Sequence, residues 1–336
     1  MYRYPLYTIL ITIIFYCYIL NLFAQNPSSF KELSGPYLGQ APPGNEPELF
    51  APGLISTAMY TRDMAMTPDG NEIYFCISAL GYNLIFYTKQ IDGHWTEPEP
   101  VPFISDFKYM YYEPHITPDG RRMLFLSNMP QKDGGEQSED IWAVDRNGDG
   151  WSRPYNLGLP INTDGNEFFP SVTRDGTLYF TRAEKGSRIH FIYRSRFVNN
   201  KYEEPEKLGP EVNCGTNRYN AYIDRDERFI IVPAVGMEDS YGGTDYYIVF
   251  TDGDDSWSPP INMGNKVNSR SRGEYSAYIS PDNKYFFFMS TRTSINNESS
   301  IEKVTYERLK QLYNKPQNGN ADIYWMDASF IQALKP

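Results

Sequence analysis

The segment Ile116-Thr117-Pro118-Asp119-Gly120, followed by Met123-Leu124-Phe125, recurs in recognisable form along the chain. Two further copies are Met66-Thr67-Pro68-Asp69-Gly70 before Ile73-Tyr74-Phe75, and Val172-Thr173-Arg174-Asp175-Gly176 before Leu178-Tyr179-Phe180. Two looser ones are Ile223-Asp224-Arg225-Asp226 before Phe229-Ile230-Ile231, and Ile279-Ser280-Pro281-Asp282-Asn283 before Tyr285-Phe286-Phe287. Asp69, Asp119, Asp175, Asp226 and Asp282 are therefore spaced by 50, 56, 51 and 56 residues. A period of that size implies modules that cannot bury an apolar face alone and must pack on their neighbours.

Each copy encodes a tight turn between two strands. Proline presets φ for the first corner, Asp bonds the backbone ahead of it, and Gly or Asn accepts a positive φ. The fourth copy, Arg225-Asp226-Glu227, has neither Pro nor Gly and is the weakest turn signal. The runs after the turns are continuously apolar, as expected of strands buried on both faces. A third strand follows in each module: Asn83–Tyr87, Asp140–Val144, Ile189–Tyr193, Asp245–Val249 and Asp322–Met326. An outer strand is expected from an aromatic residue to a proline, at Trp95–Pro98, Trp151–Pro154, Tyr202–Pro205 and Trp257–Pro260, because proline suits an edge. Four strands per module describe one blade of an all-β propeller.

Five modules supply only four outer strands after them. Glu46-Pro47-Glu48-Leu49-Phe50-Ala51-Pro52 resembles Glu97-Pro98-Glu99-Pro100-Val101-Pro102. The expectation is that this N-terminal strand completes the last blade and closes a single five-bladed ring, removing the open edge. A sixth, poorly matching blade is the alternative.

The Thr-Pro-Asp-Gly turns leading to Tyr-Phe, with Asp-Ile-Tyr/Trp strands, resemble the TolB-type, WD-repeat-like propellers of exported bacterial proteins. The resemblance spans residues 46–329. It implies a binding or scaffold platform in the periplasm or at the cell surface of a Gram-negative bacterium. The separate α/β domain that TolB-type proteins carry before their propeller has no matching segment, which argues against a role in that envelope system.

Residues 1–24 read as a signal peptide: Arg3 precedes an apolar stretch from Leu6 to Phe23, and Ala24 offers a small residue for cleavage. The stretch is also long enough to stay as a membrane tether if uncleaved. Residues 25–45 form an N-terminal extension, 46–329 the propeller, and 330–336 a C-terminal tail. The net charge of −11 becomes −12 without Arg3, and with no Lys/Arg cluster it argues against nucleic acid or anionic membrane as a partner. Cys76 and Cys214 fall in non-adjacent blades and read as two lone buried thiols. Within the last blade, residues 299–314 carry apolar positions near helical spacing and read as an inserted surface helix.

The sequence holds no nucleophile elbow, His-Glu-x-x-His, phosphate loop or Cys-x-x-Cys. The three histidines, His94, His115 and His190, are scattered, so no metal cluster and no cofactor is expected. His115 beside Glu113 would make a ligand pair, with a satisfied interior histidine as the plainer reading. Asp145-Arg146-Asn147-Gly148-Asp149-Gly150 begins like a calcium loop, but its closing position holds Asn156 and a hairpin accounts for the same residues. The hairpins before Trp95, Trp151 and Trp257 share composition with the aspartate boxes of sialidases. Their Asp-to-Trp spacings of 3, 6 and 5 give no common box.

The remaining site is architectural: the starts of the inner strands surround one mouth of the channel. They carry Arg62, Tyr112, Phe168, Tyr219 and Tyr275, with Asp63, Glu113, Glu167, Glu274 and Arg218 alongside. Aromatic faces among charged groups suit an envelope protein or a glycan. The preferred reading assigns no catalytic residue and makes the chain a binding or scaffold module. The alternative is a sialidase-like or other glycoside hydrolase with paired carboxylates such as Glu113 and Glu274, and Arg62, Arg218 or Arg272 as a clamp.

Overall fold

A computed structural model describes residues 30–131, 137–253, 255–295 and 305–336. The expected signal peptide, and residues 299–304 of the expected helical insertion, lie outside the described residues. The chain divides into residues 1–33 and 34–336, and the second unit is a five-bladed β-propeller.

Blade one is built from Tyr60–Met66, Glu72–Ala79, Tyr82–Ile91 and Glu99–Pro100. Blade two follows with Tyr111–Ile116, Arg122–Ser127, Asp140–Asn147 and Tyr155–Asn156. Blade three holds Asn166–Val172, Leu178–Ala183, Phe191–Ser195 and Glu206–Lys207. The inner strand of blade four is split into Asn217–Arg218 and Tyr222–Ile223, ahead of Phe229–Val235, Asp245–Gly253 and Ile261–Asn262. Blade five takes Glu274–Ile279, Tyr285–Ser290 and Asp322–Asp327 from the C-terminal end and Glu48–Leu49 from the N-terminal end. Glu48 stands opposite Trp325 and Leu49 opposite Tyr324, so the N-terminal strand closes the ring as expected. Phe50 then sits fully buried, edge-on to Phe287 and Trp325, and locks that closure.

All five turns form the same bond, from the residue after the Asp to the carbonyl three back: Gly70 to Thr67, Gly120 to Thr117, Gly176 to Thr173, Glu227 to Asp224 and Asn283 to Ser280. Glu227 adopts φ 53° without being glycine. Its carboxylate accepts from Tyr179 of the neighbouring blade at 2.7 Å, which offsets the cost of that conformation.

Two expectations need correction. The aromatic-to-proline segments are not the fourth strands: Trp95, Trp151, Tyr202 and Trp257 sit in short hairpins at or just beyond the end of the third strand, opposite Gln90, Arg146, Phe197 and Thr251. Proline has no N–H to give and interrupts the ladder, which resumes just beyond it at residues 99, 155, 206 and 261. The third strand of blade three starts at Phe191, so His190 precedes it.

A second repeat, unread in the sequence, ties the segment after each outer strand back to the third strand of its own blade. Leu157-Gly158-x-x-Ile161-Asn162, Leu208-Gly209-x-x-Val212-Asn213 and Met263-Gly264-x-x-Val267-Asn268 share one pattern. Each Asn side chain bonds both the N–H and the C=O of one third-strand residue: Asn162 with Ile141, Asn213 with Ile192, Asn268 with Tyr246. The amide thus imitates one more rung of strand. At ring closure Ser56 does the same for Ile323 with its hydroxyl.

A helix at Tyr306–Tyr313 lies in the connection between the second and third strands of blade five, started by the Thr305 hydroxyl on Arg308 N–H. No helix among the described residues is long and apolar enough to cross a membrane. Cys76 and Cys214 are buried and unbonded.

Candidate functional site

Each inner strand enters at the mouth and bulges once. The bulge residues Asp63, Glu113, Phe169, Asn220 and Ser276 all have φ between 50° and 64°. Where the paired register is recorded, it slips at this point in blades one, two, three and five. The left-handed backbone turns these side chains toward one another across the axis. Asp63 accepts the N–H of Glu113 at 3.2 Å, and Glu113 accepts that of Phe169 at 2.7 Å. Asn220 donates to Glu113 at 3.2 Å, and the Ser276 hydroxyl donates to Asp63. Phe169 has no acceptor to continue the ring, so the Asn220 N–H goes to the Thr181 hydroxyl at 3.0 Å.

Arg62 covers this ring. Its Nε meets Asp63 at 3.0 Å and its Nη2 meets Glu113 at 2.6 Å, while its plane lies 5.1 Å from the Tyr112 ring and 4.9 Å from that of Tyr275. Burial pushes the Glu113 carboxyl up to about 7, against the pull of Arg62 in the opposite direction. The Arg62 guanidinium is held well above its ordinary value by Asp63, Tyr275 and Glu113, which outweigh its burial.

Beneath this ring a second collar links inner strands. His115 Nε2 accepts Val172 N–H at 3.0 Å, Ser171 Oγ accepts Ile223 N–H at 3.1 Å, and Tyr278 Oη accepts Met66 N–H at 3.0 Å. His115 is therefore a satisfied interior histidine rather than half of a ligand pair with Glu113. Burial lowers its imidazole to about 4. Between the two collars lies a cavity of about 10 Å³, and one of about 30 Å³ lies at the turn end. The first holds a single water at most, so the axis between the collars has no room for a ligand.

The ten expected site residues sort into two groups. Arg62, Asp63, Tyr112, Glu113, Phe168, Tyr219 and Tyr275 meet at the mouth or just under it. An arc of rings runs round it: Phe168 edge-on to His190 at 5.3 Å, His190 to Tyr219 at 6.0 Å, Tyr219 to Tyr275 at 5.8 Å, then Arg62 and Tyr112. The Tyr60 hydroxyl bonds that of Tyr275, and the Tyr112 hydroxyl bonds Asn83 and Ser78. Glu167, Arg218 and Glu274 instead turn away from the mouth, into the connections. Glu167 holds Thr163 and Arg182, and Glu274 accepts from Ser269, Ser271 and Ser290. Arg218 donates to the carbonyls of Cys214, His190 and Gly215. They occupy alternate strand positions from the mouth aromatics, and a side-chain period of two sends them to the other face. Arg272 stands exposed.

Asp145, the first residue of the calcium-like run, gives its carboxylate to Arg122 at 2.7 Å and Tyr155 at 3.1 Å, as the hairpin reading requires. Among the described residues no group of three or more His, Cys, Asp or Glu is arranged to hold a metal ion.

The face around the mouth carries most of the exposed apolar surface. Twelve large apolar side chains stand exposed among the described residues, and ten lie in or beside connections opening on this face, including Met59, Leu80, Phe107, Leu159, Ile189 and Tyr241. Only Ile91 and Val198 belong to the opposite end.

No protein-family model matches the chain, and no curated protein matches it. Solved structures do. TolB from Acinetobacter baumannii is similar at 15% identity and TM-score 0.47, over 80% of this chain and 57% of that one. The GH43 endo-arabinanase from Bacillus licheniformis is similar at 13% identity and TM-score 0.49, over 80% and 93%. The periplasmic gluconolactonase of Pseudomonas aeruginosa is similar at 12% identity and TM-score 0.40, over 68% and 64%. This chain thus spans little more than half of the TolB chain. Likeness at this level is one of fold, and one fold hosts many activities.

Proposed function

We propose that the protein is a non-catalytic propeller that binds a macromolecular ligand on its mouth face, in the envelope compartment to which its N-terminal segment directs it. One observation carries the reading: exposed apolar side chains gather on the mouth face, ten of twelve, while Asp63, Glu113, Glu167 and Glu274 are engaged internally. Exposed apolar side chains concentrated on one face favour that face for interaction. A hydrolase needs an acid and a base within reach of a scissile bond. Here Asp63 and Glu113 lie beneath Arg62 with side chains 2% and 4% exposed. Glu274, the other half of the proposed pair, is fully buried and held by three serine hydroxyls.

A photo-crosslinking amino acid placed at Leu80 or Leu159, against controls at Ile91 and Val198, tests the reading in cells. Discrete adducts from the first pair alone are expected. Adducts from neither pair, or equally from both, refute it. Turnover of any member of a chromogenic glycoside panel, abolished by Glu113→Gln, would replace it with the hydrolase reading.

A further inference from the structure

Glu139 is a mouth residue that the repeat pattern did not single out. It immediately precedes Asp140, the first residue of the third strand of blade two. Thr244 and Ala321 hold the same place before Asp245 and Asp322. The three positions match in the backbone as well: Glu139, Thr244 and Ala321 each offer their carbonyl to the inner strand of the next blade, at Glu167 (2.8 Å), Glu274 (3.0 Å) and Thr61 (2.8 Å). In blade four the Thr244 side chain reaches the mouth and bonds the Tyr219 hydroxyl at 2.8 Å. The corresponding aromatic of blade two, Tyr112, has turned its hydroxyl to Asn83 and Ser78 of blade one. Glu139 is left half-buried, and its carboxylate has no hydrogen bond or ion pair among the described residues.

Its place is the opening in the arc of rings. Phe168, His190, Tyr219 and Tyr275 run round the mouth to Tyr112 through Arg62, and the interval from Tyr112 back to Phe168 is where Glu139 stands, bonded through its carbonyl to the residue before Phe168. Burial raises its carboxyl, and the only charged group countering that is Arg62, already engaged by Asp63 and Glu113. A half-buried carboxylate without a partner is costly, and a ligand that supplies a cation to it would recover that cost.

Resting on the reading of the mouth as a binding face, we propose that the ligand is a polypeptide that inserts a lysine or arginine side chain between Tyr112 and Phe168 to pair with Glu139. The exposed Leu80, Met59, Phe107 and Leu159 in connections on the same face favour a protein surface over a glycan as the body of that ligand.

Selection of a displayed random-peptide library against the whole protein tests this. The expected result is enrichment of peptides with a central Lys or Arg. Synthetic copies should lose at least tenfold in affinity when that residue is acetyl-lysine or citrulline, and likewise toward Glu139→Gln. The variant should unfold at the same temperature as the wild type or higher. Glu139→Lys should turn the preference to acidic peptides. Peptides enriched without basic residues, or bound equally by Glu139→Gln, overturn the inference. If Leu80→Asp with Leu159→Asp still abolishes their binding, the mouth reading survives that failure. No enrichment at all overturns the inference, and crosslinking at Leu80 then decides the mouth reading by itself.

Discussion

Arg62 of blade one bonds Glu113 of blade two at 2.6 Å, above a ring of side chains contributed by left-handed bulges. Asp63 and Glu113 are both buried and share this one cation. Breaking such an arrangement from one side leaves charge without a partner. Arg62→Leu is therefore expected to cost about 3–5 kcal/mol, read as a lower urea midpoint. Arg62→Leu with Glu113→Gln should cost less than the two single changes added together.

The same ring makes stability depend on pH. Glu113 binds its proton more readily folded, at about 7, than at its ordinary value of 4.5. Its contribution is full below 4.5 and is lost as pH rises through 7. Melting temperatures of wild type and Glu113→Gln should differ by an amount that moves against the wild type between pH 5 and pH 7.5. A constant difference would show that the carboxyl does not titrate there.

His115 acts in the opposite sense. Its imidazole is lowered from 6.5 to about 4 by burial, helped by the nearby Arg225 charge, and Nε2 accepts Val172 N–H. That contribution is present above 6.5 and lost as pH falls through 4. Glu and His therefore slope against each other between pH 4.5 and 6.5. His115→Gln, which keeps an acceptor, should flatten the acid limb of the stability curve at the expense of some stability at neutral pH.

The asparagine straps offer a test away from the axis. Asn268→Ala removes both bonds to Tyr246 and leaves its buried N–H unsatisfied, while the C=O keeps the Met263 N–H. About 1–3 kcal/mol should be lost, with unchanged far-ultraviolet dichroism below the transition. Asn213→Ala should behave alike at Ile192.

Much of the fold was legible because its punctuation is local. Turn chemistry around Asp69, Asp119, Asp175 and Asp282 is written in neighbouring residues, and the likeness of residues 46–52 to 97–102 foretold the closing strand. The outer strands were misplaced because an aromatic residue marks a hairpin as readily as an edge, and only the ladder shows where proline breaks it. At the site, counting from the turns found Arg62 and the four aromatics. It could not tell Glu113, which faces the axis, from Glu167 and Glu274, which face the connections, because bulges shift the alternation. Asn220 and Ser276 were missed for that reason, although each follows a mouth tyrosine as Glu113 follows Tyr112. Glu139 carried no signal of its own; its only mark was its place just before Asp140, one residue ahead of a repeated motif.

Leu49 and Tyr324 face each other although nearly the whole polypeptide lies between them. Blade five therefore cannot be completed until Asp322–Asp327 has been made. Until its final strand arrives, the first strand waits without a partner and the sheet edges it will cover stay available for mispairing. Folding of this molecule is thus bound to the arrival of Asp322–Asp327, and a chain cut short before Asp322 would lack the seam that holds the circle shut.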